Sequence, residues 1–164
     1  MAEFLDKLTS YNLFNYLLPG VVFAVCASGL TGINFIQEDL VVGAFFYYFL
    51  GVVISRIGSL FIEPVLKWIK FIRFESYEDY LSASKKDDQI SVLLEANNMY
   101  RTLLSTFICL LTFKAYLVLE GLIWKNLAIN GWTAVFALAL LFLFSYRKQT
   151  KFIASRIRKQ VDGE

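Results

Sequence analysis

The chain has 164 residues, 57% of them hydrophobic and 17% aromatic, with 18% charged and a net charge of +2; its mean hydropathy is +0.55. It contains no histidine, which excludes Ser-His and Cys-His nucleophile systems and every His-ligated metal site. The two cysteines, Cys26 and Cys109, lie in apolar runs and supply neither a disulfide framework nor a zinc cluster, and so small a net charge argues against a strong nucleic-acid footprint over the whole molecule.

A helix that crosses a bilayer needs about 20 mostly apolar residues. Four segments meet this requirement: 13–30, 40–62, 102–124 and 127–146. Too little amphipathic chain is left to cover four such runs in water, so they read as spanning helices whose backbone groups are satisfied internally. The first also has small residues that suit a signal-peptide cleavage site, but the acidic start (Glu3, Asp6, with only Lys7 positive) favours a retained span. Within it, Asn12, Asn15, Pro19 and Gly20 predict a bend, because Pro19 frees the carbonyl of Asn15.

The second span carries Arg56 in its inner part and ends at Glu63-Pro64. Arg56 and Glu63 share a helix face and read as a polar track or an interfacial ion pair. Ala44, Gly51 and Gly58 recur at seven-residue spacing with Ser55 beside them, a line of small residues that lets two helix backbones approach.

The connection 63–101 is the one sizeable segment between spans. Pro64 is expected to interrupt the second span. Residues 65–73 then read as an in-plane amphipathic helix, with Lys67, Lys70 and Arg73 as lipid-headgroup contacts beside Trp68, Ile69, Phe71 and Ile72. Each such cation gains about 1 kcal/mol from anionic lipid. Ser76 and Asp79 mark the start of a helix over 77–84. Lys85, Lys86, Asp87 and Asp88 form a solvated turn and a candidate docking point for a cytosolic partner. The acids Glu75, Glu78, Asp79, Asp87 and Asp88 read as this helix start and turn, with no metal assigned.

From Asp88 an apolar stripe (Ile90, Leu93, Ala96, Tyr100, Leu103, Phe107) predicts a helix over 88–101 that continues without a break into the third span. That span carries Lys114 near its middle and Glu120 six residues on, which is poor spacing for an intrahelical pair. Lys114 either snorkels toward a surface or faces a bundle interior, a subunit interface or a watery path. The fourth span leads into a basic tail, 147–164.

Lysine and arginine set the orientation. Outside the spans, thirteen lie in the N-terminal stretch, the long connection and the tail, against Lys125 alone in the remaining loops. Both termini are therefore expected on the cytoplasmic side, with Trp124 and Trp132 at the outer boundary. No phosphate-binding loop, nucleophile elbow, zinc-protease or dinucleotide motif is present, so the chain reads as a non-enzyme without cofactor.

The segments Tyr11-Asn12-Leu13-Phe14-Asn15-Tyr16-Leu17-Leu18-Pro19-Gly20 and Ile54-Ser55-Arg56-Ile57-Gly58-Ser59-Leu60-Phe61-Ile62-Glu63-Pro64 look like those of small bacterial membrane proteins of defence-type gene clusters. In plan the chain is similar to the membrane subunit of the Kiwa anti-phage system. That resemblance implies an oligomeric four-span protein working with a cytosolic DNA-binding partner. Small multidrug transporters share the four-span plan, but they are shorter and keep a deep carboxylate in the first span, where this chain has none.

The expectation is an all-α integral membrane four-helix bundle of the bacterial inner membrane, with a helical cytoplasmic extension and both termini inside. Its expected role is a sensor or scaffold subunit, homo-oligomeric, contacting the lipid bilayer and a cytosolic protein but not nucleic acid directly. The alternative is a pore or small-solute transport protein with Lys114 facing the path.

Overall fold

The computed structural model describes residues 13–122 and 131–161. Lys7 and Asn12, the outer turn with Trp124 and Lys125, the adjoining ends of the third and fourth expected spans, and the last three residues lie outside the described residues. All regular structure among the described residues is helical. Two stretches, Leu40–Trp68 and Gln89–Glu120, are long and apolar enough to cross a membrane, and Asn15–Thr31 is a shorter apolar helix. The chain divides into two compact units, Met1–Lys125 and Asn126–Glu164.

The described part of the first unit opens with a π-helical turn, Leu13–Leu17, that runs into α1, Leu18–Thr31. Gly32, at φ 74°, ends α1 by returning its N–H to the Ser28 carbonyl. Asp39 starts α2, Leu40–Ile57, its carboxylate accepting the Val42 N–H at 2.8 Å. A second π-helical turn, Gly58–Ile62, joins α2 to α3, Glu63–Trp68.

The chain has two prolines. Each sits at the second position of an α-helix that follows a π-helical turn: Pro19 after Leu13–Leu17, Pro64 after Gly58–Ile62. A proline ring collides with the carbonyl four residues back and offers no N–H to it. The wider i→i+5 turn moves that carbonyl aside, and the Glu63 N–H bonds to Gly58 instead. Leu40–Trp68 is therefore one continuous helix, and Pro64 does not interrupt it.

The expected in-plane helix over 65–73 is corrected accordingly. The helix through α3 stops at Trp68, and Lys70 takes a left-handed conformation at φ 60°. No helix passes through residues 69–76. Ser76 then caps α4, Tyr77–Ser84, accepting the Asp79 N–H at 3.1 Å. The unit ends in α5, one α-helix of 34 residues, Gln89–Leu122, about 50 Å long.

Helices α1 and α2 form an antiparallel hairpin. A Cβ placed on Gly20 would fall on the Tyr47 carbonyl, and one on Gly51 would fall on the Tyr16 carbonyl. The contact is reciprocal: each helix offers a glycine to a carbonyl of the other, four residues before that helix's own glycine. The backbones meet with no side chain between them, close enough for Cα–H···O contacts. Helix α5 runs parallel to α1, meeting it through Asn15–Thr102, Phe23–Phe113 and Leu30–Lys114 in ascending order. It is antiparallel to α2 and its continuation, where a Cβ on Gly58 would collide with the Ser105 hydroxyl. The buried apolar side chains Ala24, Ala27, Ile54 and Leu110 surround these crossings.

The second unit holds α6, Gly131–Val161. It is apolar through Phe144 and carries Arg147, Lys148 and Lys151 further on, so one helix continues from the expected fourth span into the basic tail. Ser145 and Thr150 return their hydroxyls to the Leu141 and Tyr146 carbonyls at 2.8 and 2.9 Å.

Alanine at Gly20 or Gly51 must push two backbones apart, an overpacking cost of about 1–3 kcal/mol or more. Each variant is expected to lower the thermal midpoint of the detergent-purified protein by several degrees. Gly29→Ala, where an added Cβ meets nothing within 4 Å, serves as the control and should hold or raise it.

Candidate functional site: a polar lock among three helices

Where α1, α2 and α5 meet, the side chains are polar. Asn15 is 1% exposed, and Ser55, Thr102, Ser105 and Thr106 are 0% exposed. The Thr102 hydroxyl lies 2.8 Å from the Asn98 carbonyl, 3.1 Å from Asn15 Oδ1 and 3.3 Å from Ser55 Oγ. It thereby ties its own helix to both others. Its single proton serves these acceptors as the hydroxyl rotates, and the Ser55 hydroxyl can donate back. Ser105 and Thr106 bond to the carbonyls of Arg101 and Thr102 at 2.7 and 3.0 Å, which satisfies their hydroxyls within α5.

Beside this cluster stands a charged one. Glu63 takes Arg101 of α5 at 2.8 Å through Oε2, and Lys67 one turn along α3 at 2.8 Å through Oε1. The Glu63 and Arg101 side chains are 13% and 18% exposed, so the pair is shielded from solvent on most sides. Arg101 meets the carboxylate through Nη1, while its Nε is buried with no acceptor among the described residues. Arg56 reaches the Tyr16 hydroxyl at 3.4 Å, and the Tyr16 ring packs edge-on against Tyr48.

At the opposite end of the hairpin, Lys114 donates to the Leu30 carbonyl at 2.6 Å. A cation at a helix C-terminus meets the negative end of its dipole and an otherwise orphan acceptor. The loop between α1 and α2 folds back over the helices. The Phe35 N–H bonds to Ser28 Oγ at 2.9 Å, the Gln37 N–H bonds to the Tyr47 hydroxyl at 3.0 Å, and the Phe35 ring packs against Phe23 and Phe113.

The structure separates the other residues singled out from the sequence. Gly51, Ser55 and Gly58 line the buried face of α2 and its continuation, but Ala44 is exposed and Gly43 is the buried residue there. Seven residues drift round a helix by only about 20°, so Ala44 keeps the face of Gly51, and its exposure shows that this face is uncovered at that level, while the side chains of Tyr47 and Gln37 cover Gly43. Glu120 is half-buried further along α5. Lys67, Lys70 and Arg73 are exposed, and Lys67 also lies 4.4 Å over the Phe74 ring. Lys85, Lys86, Asp87 and Asp88 are exposed. Asp87 accepts the Gln89 N–H at 2.9 Å and the Asp88 carbonyl takes the Ser91 hydroxyl at 2.7 Å, so this turn also starts α5. No group of acids and cysteines suited to a metal ion occurs among the described residues.

The sequence reading passed over Thr102, Asn98 and Arg101. A Thr-x-x-Ser-Thr run inside an apolar helix is the signal that would have found the first. Comparison with protein-family models, curated proteins and solved structures finds no match to this chain. Site and function therefore rest on the chemistry of these residues.

Thr102→Val removes the hydroxyl that all three helices share and should cost roughly 0.6–2 kcal/mol, the span measured for polar contacts between membrane helices. In a double-mutant cycle, Glu63→Gln with Arg101→Gln should show coupling above about 0.5 kcal/mol, and Glu63→Gln with Lys67→Gln less, because the second pair is exposed on its lysine side. Both are read from thermal unfolding in detergent.

Proposed function

We propose that this chain is a membrane-embedded sensor or scaffold subunit of a multi-protein assembly in the bacterial inner membrane. In this reading it crosses the bilayer four times, keeps both termini and residues 63–101 in the cytoplasm, associates with copies of itself and docks a cytosolic protein. The two membrane-length helices and the one-sided placement of lysine and arginine support the membrane part. Its similarity in plan to the Kiwa membrane subunit suggests anti-phage defence as the setting.

The observation that carries the signalling part is α5. Its upper portion is tied to α1 and α2 through Thr102 and Phe113 and to α3 through Arg101, and its lower portion packs against α4, whose Leu81 is buried. An unbroken helix of 34 residues joins the two. A rotation or axial shift of α5 at the lock moves α4 and the exposed turn Lys85–Asp88 as one piece. Coupling of this kind needs an element that both sites bias, and α5 is the candidate. The pore alternative draws no support from Lys114, whose ammonium is held by a backbone carbonyl.

Lys85→Glu with Lys86→Glu is expected to abolish co-purification of the cytosolic partner while the detergent-extracted particle keeps its size. Recovery of the same partner would place the docking surface elsewhere. Anion flux into vesicles that disappears with Lys114→Leu would favour the pore reading instead.

A further inference from the structure

We infer that the turn closing the second membrane-length helix, residues 68–74, is a binding surface for anionic phospholipid headgroups; the inference rests on the membrane reading above. This segment exposes an unusual amount of apolar surface. Trp68 is 83% and Phe71 77% exposed, with Ile69 and Phe74 also open. The turn is nonetheless ordered: the Ile69 N–H bonds to the Val65 carbonyl at 3.0 Å and the Phe71 N–H to the Leu66 carbonyl at 2.9 Å. Lys70 is the one non-glycine residue at positive φ among the described residues. The backbone is thus held in a costly conformation, and four of the five large apolar side chains in these seven residues are exposed beside two exposed cations.

Depth along the helix identifies the occupant. Leu40–Trp68 is 29 residues, about 43 Å of helix. The hydrocarbon layer is about 30 Å thick, and about 40–45 Å with its headgroups. A helix that starts at one face of the bilayer brings Trp68 into the headgroup layer of the other, where tryptophan and phenylalanine beside cations are at home. The charges agree with this placement. Lys67 is taken up by Glu63 and the Phe74 ring. Lys70 and Arg73 are exposed, and neither has an ion-pair partner among the described residues. Two free cations flanking an aromatic wedge match a phosphate with a net negative headgroup better than a zwitterionic one.

The chain has three tryptophans, so Trp124→Phe with Trp132→Phe leaves Trp68 as the only reporter in the full-length protein. It is reconstituted into vesicles of phosphatidylcholine and phosphatidylglycerol, with either lipid brominated near the top or deep in its chains. Shallow bromines are expected to quench Trp68 more than deep ones, and brominated phosphatidylglycerol at a lower mole fraction than brominated phosphatidylcholine. Adding Lys70→Gln with Arg73→Gln should reduce that preference about thirtyfold. Equal quenching by the two lipids, or an unchanged preference in the neutralised variant, overturns the lipid site. Unquenched Trp68 in protein that stays in carbonate-washed membranes also overturns it and points to a covering protein. Release of the chain from washed membranes removes the membrane reading itself.

Discussion

The arrangement depends on two carbonyls, those of Tyr16 and Tyr47, each resting against a glycine of the facing helix. Under the proposed membrane reading the surroundings are as apolar as the side chains, which then contribute little to helix association, and close backbone packing holds the hairpin. That contact fixes the rotation of α1 and α2 about their axes. Asn15 and Ser55 then face one point, and α5 brings Thr102 to it. A different rotation of either helix would leave an amide or a hydroxyl in an apolar environment without a partner, which costs several kcal/mol. Glycine contact and polar cluster therefore enforce each other, the first by excluding side chains and the second by penalising every other register.

The charged residues are handled economically. Glu63 is matched by two cations, and Lys114 is placed where a helix ends and a carbonyl is free. Neither arrangement calls for a ligand. The chain can carry these charges because each has a local electrostatic reason to sit where it does, and a functional assignment of Lys114 has to explain why its ammonium is already engaged.

Much of the helical plan was legible in the sequence. The Ser76–Asp79 cap, the α4 segment and the uninterrupted α5 follow from local spacing alone. The packing face of α2 was legible at Gly51, Ser55 and Gly58, and misleading at Ala44, which shares that face but is exposed, because spacing along one helix does not say how far its neighbours cover it. Contacts between residues far apart in the chain were not legible. Glu63 with Arg101 and Asn15 with Thr102 depend on which helices are neighbours, and one amphipathic pattern does not specify its partner. The role of Lys114 was hidden for another reason: its acceptor is a backbone carbonyl, and every residue has one. Pro64 misled because a proline ordinarily closes a helix, and the wide turn before it removes the clash that would do so.

Those wide turns have a consequence for how the chain tolerates insertions and deletions. A π-helical turn is one residue that an α-helix has absorbed as a bulge. Deleting a single residue from Gly58–Ile62 would return the segment to ordinary winding and leave everything beyond it at nearly the same rotation, whereas a deletion within α2 would swing it by about 100°. Glu63 would still face Arg101, but Pro64 would then meet the carbonyl four residues back. The surplus residue therefore accommodates the proline, and the turn that holds it is the one place in this helix where the chain can lose a residue without losing its register.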